Sequence, residues 1–287
     1  MRPFNLYTTH NSLFQNIQPE LVRIITGSVS AELIYLLGSS LYQRRTETIF
    51  NSKSPASHYT GDYFFLVVIR DAEGRKMGEW EDILEQRCGH IARTTIIVTE
   101  LSPFVEKYSD GNIFATSVHS AGTVFYDAGN VVLPELNEIN MKVPRDGQKE
   151  YKKTVHRVKE FLAGADLYIA REESEMASFM IHQAFEQCLK TLVLIGSGFV
   201  VDTHNIDRLL RYAGLVTCRM LDLFPVDHAD NRKLLETLQK AYIGARYTYD
   251  FTPPFTCVVK LREKAQLALN ILIEAGTSGV LDAPELR

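Results

Sequence analysis

From Met176 to Ile195 the apolar residues Met176, Phe179, Met180, Ala184, Cys188, Leu192 and Ile195 fall three or four apart. Kept up over about six turns, that spacing makes one long helix with one apolar stripe, and several other helices must cover it. Gly196 and Gly198 follow and end the helix as C′ glycines do. Residues after Pro144 show no strand-like alternation. Helical patterns occupy Gln148–Ala163, Arg171–Ile195, Asn205–Tyr212, Asn231–Tyr247 and Val258–Glu274. Asp230 and Thr203 are candidate N-caps. This half of the chain is predicted to be an all-α bundle.

The first half reads differently. Tyr63–Ile69 is a continuous run of aromatic and β-branched residues, as expected of a strand buried on both faces. Ala31–Leu37, Thr94–Thr99 and Gly122–Tyr126 are further strand candidates, the first ending at Gly38-Ser39-Ser40. Glu79–Cys88, with Trp80, Ile83, Leu84 and Cys88 at helical spacing, is predicted to be an amphipathic helix, and Pro103–Tyr108 and Asn112–Ser120 shorter ones. The predicted fold class is therefore α+β: a mixed sheet with helices, then a helical bundle. The expected boundaries are 1–130 for the first domain, 131–147 for a linker, 148–276 for the bundle and 277–287 for a tail.

Composition narrows the setting. A net charge of −4 over 287 residues argues against coating nucleic acid by bulk charge. No apolar run reaches a membrane span, and the start lacks the pattern of a secretory signal. Cys88, Cys188, Cys218 and Cys257 are scattered without a Cys-x-x-Cys pair, so no zinc knuckle or redox motif is expected, and a cytoplasmic location fits.

The segment Phe179-x-x-His182-Gln183-Ala184-x-Glu186-x-x-Leu189-Lys190-x-Leu192, then Thr203-His204-Asn205-Ile206-x-Arg208-Leu209-Leu210, then Ala241-Tyr242-Ile243-x-Ala245-Arg246-Tyr247, resembles the HEPN family in order and spacing. Taken alone, His182 and Glu186 are one helical turn apart beside the apolar stripe, His204 suits capping or packing, and Arg246 suits a helix C-terminus. Many HEPN domains are ribonucleases that carry an Arg followed closely by a His. Here Arg246 is followed by Tyr247-Thr248-Tyr249-Asp250-Phe251-Thr252-Pro253, with nothing to move a proton near neutral pH. Members without that motif are expected to bind phosphorylated ligands as homodimers. His182, Lys190, His204, Arg208, Arg246 and Tyr247 are then the candidate phosphate-binding residues, with Lys149, Lys153 and Arg157 as a basic stripe.

Leu37-Gly38-Ser39-Ser40, followed by Gly61-Asp62-Tyr63-Phe64 on a strand, resembles the minimal nucleotidyltransferase family, often joined to HEPN domains. Active members hold a triphosphate on a Gly-Ser helix N-terminus and two Mg²⁺ ions on three acids. On that pattern Gly38, Ser39 and Asp62 are the nucleotide-binding candidates, while Phe64 and the region of Thr95 stand where the other acids belong.

The resemblances imply a non-catalytic or regulatory protein that binds nucleotide or RNA phosphate, with a degenerate transferase domain and no assigned catalytic residue. An active transferase, with Mg²⁺ and a nucleoside triphosphate, would need substitute acids such as Glu47, Asp71 or Glu100. A HEPN-type RNase toxin, as in toxin–antitoxin pairs, would depend on Arg246.

Overall fold

The structure, a computed structural model, describes residues 7–46, 56–135, 147–225, 229–247 and 250–277. The chain divides into two compact units, Met1–Lys142 and Val143–Arg287.

The first unit runs α1 (Tyr7–Thr26), β1 (Ala31–Thr46), β2 (Ala56–Ile69), α2 (Met77–Cys88), β3 (Arg93–Glu100), α3 (Leu101–Ser109), α4 (Ile113–Ala121) and β4 (Thr123–Asp127). Its sheet has the order β3-β2-β1-β4, with β2 and β3 parallel and the other pairs antiparallel. The mixed α+β sheet expected from the pattern is present. Strand β2 lies at its centre and is apolar on both faces because both are covered. Tyr63, Phe65, Val67 and Ile69 pack with Leu21 and Ile25 of α1 and with Trp80, Leu84 and Cys88 of α2. On the opposite side Tyr35 meets Phe104 of α3, and its hydroxyl lies 3.0 Å from His119 Nδ1 of α4.

Strand β3 is an edge, and its outward amides are taken by side chains. Ile96 N–H donates to Glu85 Oε1 (3.0 Å) and Val98 N–H to Glu81 Oε1 (3.3 Å), both from α2. At the start of β1 the buried Glu32 accepts from Arg70 and, at 3.0 Å, from Asn130, which ties the residues after β4 to the sheet.

Two expectations need correction. Strand β1 does not stop at Gly38 but continues to Thr46, in a long hairpin with β2. A register shift between Leu36 and Gly38 absorbs Leu37, so a glycine that looks like a strand terminator is carried by a bulge. Helix α1 lies where the sequence suggests no element. Its first half is rich in Thr, Asn and Ser and Pro19 lies inside it, all poor helix signals, while burial of Leu21 and Ile25 anchors its second half.

The second unit runs α5 (Gly147–Ala170), α6 (Ser174–Ser197), α7 (Ile206–Gly214), a 3₁₀ turn (Cys218–Leu223), α8 (Ala229–Tyr247) and α9 (Phe255–Thr277). Helix α6 is central, touching α5, α7, α8 and α9, as its long apolar stripe requires. Phe185, Cys188, Leu189 and Leu192 are fully buried along it. It ends at Gly198, whose φ of 73° suits a residue without a Cβ, and Gly198 N–H closes on Leu194 O at 2.8 Å. Arg262 of α9 grips Asp166 of α5 through two hydrogen bonds of 2.7 and 2.8 Å. Asn205, not Thr203, caps α7, and Asp230 lies within the first turn of α8 rather than ahead of it. No described helix is long and apolar enough to cross a membrane.

Candidate functional site

Helix α6 carries His182, Glu186 and Lys190 one turn apart, so all three share a face. Glu186 is 4% exposed, a poor place for a carboxylate unless its oxygens are occupied. Oε1 is: Lys190 Nζ lies 2.9 Å and His204 Nδ1 3.0 Å from it. Oε2 has no hydrogen-bond partner among the described residues, and His182 Nε2 stands 3.6 Å from it. The last distance is an ion-pair contact, too long for a hydrogen bond. Burial pushes the Glu186 carboxyl up, but its polar neighbours His182, Lys190 and His204 outweigh it and hold the group at about 2.

His182 is fully buried, within the packed interior rather than beside it. Its Nδ1 lies 2.9 Å from the Leu238 carbonyl of α8. A carbonyl only accepts, so Nδ1 carries the hydrogen and Nε2 is the atom turned to Glu186.

His204 comes from the segment between α6 and α7. Asn205 caps α7 by accepting from Arg208 N–H at 3.1 Å, and Ile206 N–H donates to Gln239 Oε1 of α8 at 2.7 Å. Those bonds pin the start of α7 to α8 and bring the His204 ring onto Tyr242, with centroids 4.8 Å apart and planes 12° from parallel. Tyr242 also packs against His182 at 5.2 Å. One turn on, Arg246 Nε donates to the Tyr242 carbonyl at 2.9 Å, and its guanidinium lies 4.1 Å above the Tyr242 ring centroid. Phe179 and Tyr247 flank that cation at 5.5 and 5.0 Å. The result is a ledge of stacked rings and cations above a buried anion.

Of the HEPN-derived candidates, His182, Lys190, His204, Arg246 and Tyr247 come together here, and Arg208 does not join them at the surface. It is buried on α7, 6% exposed. Arg157 turns to Gln187 of α6, to which it donates at 3.1 Å, Lys153 is exposed on α5, and the Lys149 side chain lies outside the described residues. Glu186 and Tyr242, the two groups that organise the ledge, are absent from the candidates chosen by residue type. The one-turn spacings Glu186–Lys190 and Tyr242–Arg246 are the signal that points to them.

In the first unit, Gly38 and Ser39 sit inside β1 opposite Phe64 and Tyr63, and Ser40 faces Asp62. Strand pairing thus brings the candidates together. No helix starts there, however, so the expected N-terminal phosphate cradle is replaced by a β ladder that uses the backbone groups itself. Asp62 is 7% exposed and faces Arg93 Nη1 at 3.6 Å. Phe64 and Thr95, buried partners on β2 and β3, fill the positions of the other acids. Of the substitute acids, Asp71 accepts from Glu73 N–H, Glu100 accepts from Ala72 N–H, and Glu47 lies outside the described residues. Among the described residues no group of three or more His, Cys, Asp or Glu side chains is placed to hold a metal ion.

Residues 151–274 match the family model described as HEPN domain. No curated protein matches the sequence. A solved structure of a nucleotidyltransferase-like protein from Exiguobacterium sibiricum 255-15 is similar at 11% identity, covering 96% of this chain and 79% of that one with a TM-score of 0.31. So loose a superposition says nothing about chemistry.

Proposed function

We propose that this chain, whose residues 151–274 match the HEPN domain model, is a non-catalytic, regulatory protein whose HEPN-like unit binds a nucleotide or nucleic-acid phosphate at the Glu186 ledge. The carrying observation is the excess of cations over anions where rings are exposed. Lys190 and His204 meet the single carboxylate of Glu186, and Arg246 lies over Tyr242 with Tyr247 beside it. Cations bind phosphate, and stacked aromatic faces take a base. Glu186 fixes Lys190, and the Tyr242 carbonyl fixes Arg246, before the ligand arrives, so less ordering is left for binding to supply. The N-terminal unit serves in this reading as a scaffold of nucleotidyltransferase descent, and the chain works as a homodimer. The 59% exposed Ile243 and 44% exposed Phe255 are apolar side chains available to that contact.

Thermal-shift titration with adenine mononucleotides and short oligonucleotides tests the reading. A ligand present at about a thousand times its Kd stabilises the fold by about 4 kcal/mol. Arg246→Ala and Lys190→Ala are expected to shrink the shift. A melting temperature that no such compound moves at millimolar concentration removes the reading.

A further inference from the structure

The two ring nitrogens of His204 face different partners. Nδ1 lies 3.0 Å from Glu186 Oε1, and because an ionised carboxylate only accepts, Nδ1 carries the hydrogen. The neutral ring therefore has a bare lone pair at Nε2. The side chain is 51% exposed and is held at Nδ1 and along one face by Tyr242, so Nε2 is the nitrogen left for a ligand. Its charged and titratable surroundings come from three elements. Helix α6 presents Glu186 and Lys190, with His182 closing the inner side of Glu186. Helix α8 presents Tyr242, with Arg246 beyond it. The segment around His204 contributes exposed Asp202 and half-buried Asp207, the latter paired with Arg211 at 3.2 Å.

Lys190 and Arg246 only donate, whereas Nε2 of the neutral ring accepts. An anion made only of acceptor oxygens meets a lone pair at Nε2, whereas an anion that brings a hydrogen satisfies it. A phosphomonoester can bring one, since its second ionisation lies near pH 6, and a phosphodiester cannot. Resting on the phosphate-binding reading above, we propose that the ledge is a phosphomonoester site that takes a terminal phosphate together with one proton and discriminates against the diesters of a nucleic-acid backbone. The hydrogen sits on the phosphate and donates to Nε2, or sits on Nε2 and is donated to the phosphate. Both descriptions contain the same atoms and charge. Glu186, held ionised, does not supply the proton, so it comes from solvent. The charges agree. Lys190 and Arg246 against Glu186 leave one net positive charge, and the added proton makes two, matching the dianion.

Calorimetric titration of the intact chain near pH 7.5, in two buffers of different ionisation enthalpy, tests this. The probes are adenosine 5′-monophosphate and the dinucleoside adenylyl-3′,5′-adenosine, which has a diester and no terminal phosphate. The monophosphate is expected to bind roughly tenfold or more tightly than the dinucleoside, with heats that reveal proton uptake, while the dinucleoside shows none. In His204→Gln the uptake and the preference are expected to vanish while the circular dichroism spectrum is kept. The wild-type comparison stands alone should that variant fail to fold. Equal affinity for the two probes, or monophosphate heats independent of buffer, overturns the terminal-phosphate assignment and leaves the ledge as a general phosphate binder. Binding of neither probe overturns both.

Discussion

Glu186 is a buried carboxylate whose neighbours make its charge tolerable, and its removal should be felt beyond ligand binding. Its carboxyl is held at about 2, below the roughly 4.3 of an unfolded glutamate, so its contribution is complete above the unfolded value and fades as pH falls from about 4.5 toward 2. Allowing for solvent screening, that contribution is on the order of 2 kcal/mol. In denaturant unfolding, Glu186→Gln is expected to be less stable than the parent chain by about that amount at neutral pH, with the gap narrowing by pH 3. A gap independent of pH would mean that the charge is not what the cluster stabilises. The turn-by-turn spacing of His182, Glu186 and Lys190 is legible in the sequence because helical geometry alone makes them neighbours. The rest of the cluster is not. His182 is fixed by the Leu238 carbonyl, and a backbone atom on another helix has no residue-type signature. His204 looks like a cap because it precedes a helix, yet the cap is Asn205 and the histidine is free to turn to Glu186.

The edge of the sheet shows how one element can finish another. Four residues of helix advance about 6 Å and two residues of strand about 6.6 Å, so carboxylates at Glu81 and Glu85 can meet the alternate amides of Val98 and Ile96. They take the place of a neighbouring strand's carbonyls and leave that edge less able to pair with another chain. The double change Glu81→Ala with Glu85→Ala is expected to cost about 1 kcal/mol per lost bond and to make the protein self-associate. Light scattering on a size-exclusion column over a range of concentrations reads the second effect. An unchanged mass at every concentration would show that the edge needs no such cover. The sequence shows α2 and β3 as separate elements but not their contact, since an acidic helix face reads the same whether it meets solvent or amides. It likewise hides the far half of the β1–β2 hairpin, where Gly38-Ser39-Ser40 has the composition of a turn and only pairing with β2 makes it strand.

At the scale of the molecule, two cores answer to two kinds of periodicity, and both kinds are legible. The α+β first half and the helical second half appear as expected. What periodicity cannot give is strand order, because the partner of each edge is chosen by chain topology. Helix α6 is covered by helices of its own unit, so a fragment of residues 143–287 is expected to unfold cooperatively and to keep the nucleotide-induced thermal shift of the intact chain. A fragment without a melting transition would show that the helical unit leans on the N-terminal half.

The pairing of β4 with β1 sets Leu33 opposite Asp127. Loop closure over so long a stretch is entropically costly, and strand pairs remote in sequence form slowly. During synthesis β1 and β2 can zip together early, while the far edge of β1 waits until α2, β3, α3 and α4 have all emerged. The helical unit, rich in contacts between sequence neighbours, has no comparable wait. The half of the protein that leaves the ribosome first is therefore expected to be the half that matures last, with the amides of β4 the latest to gain protection from exchange.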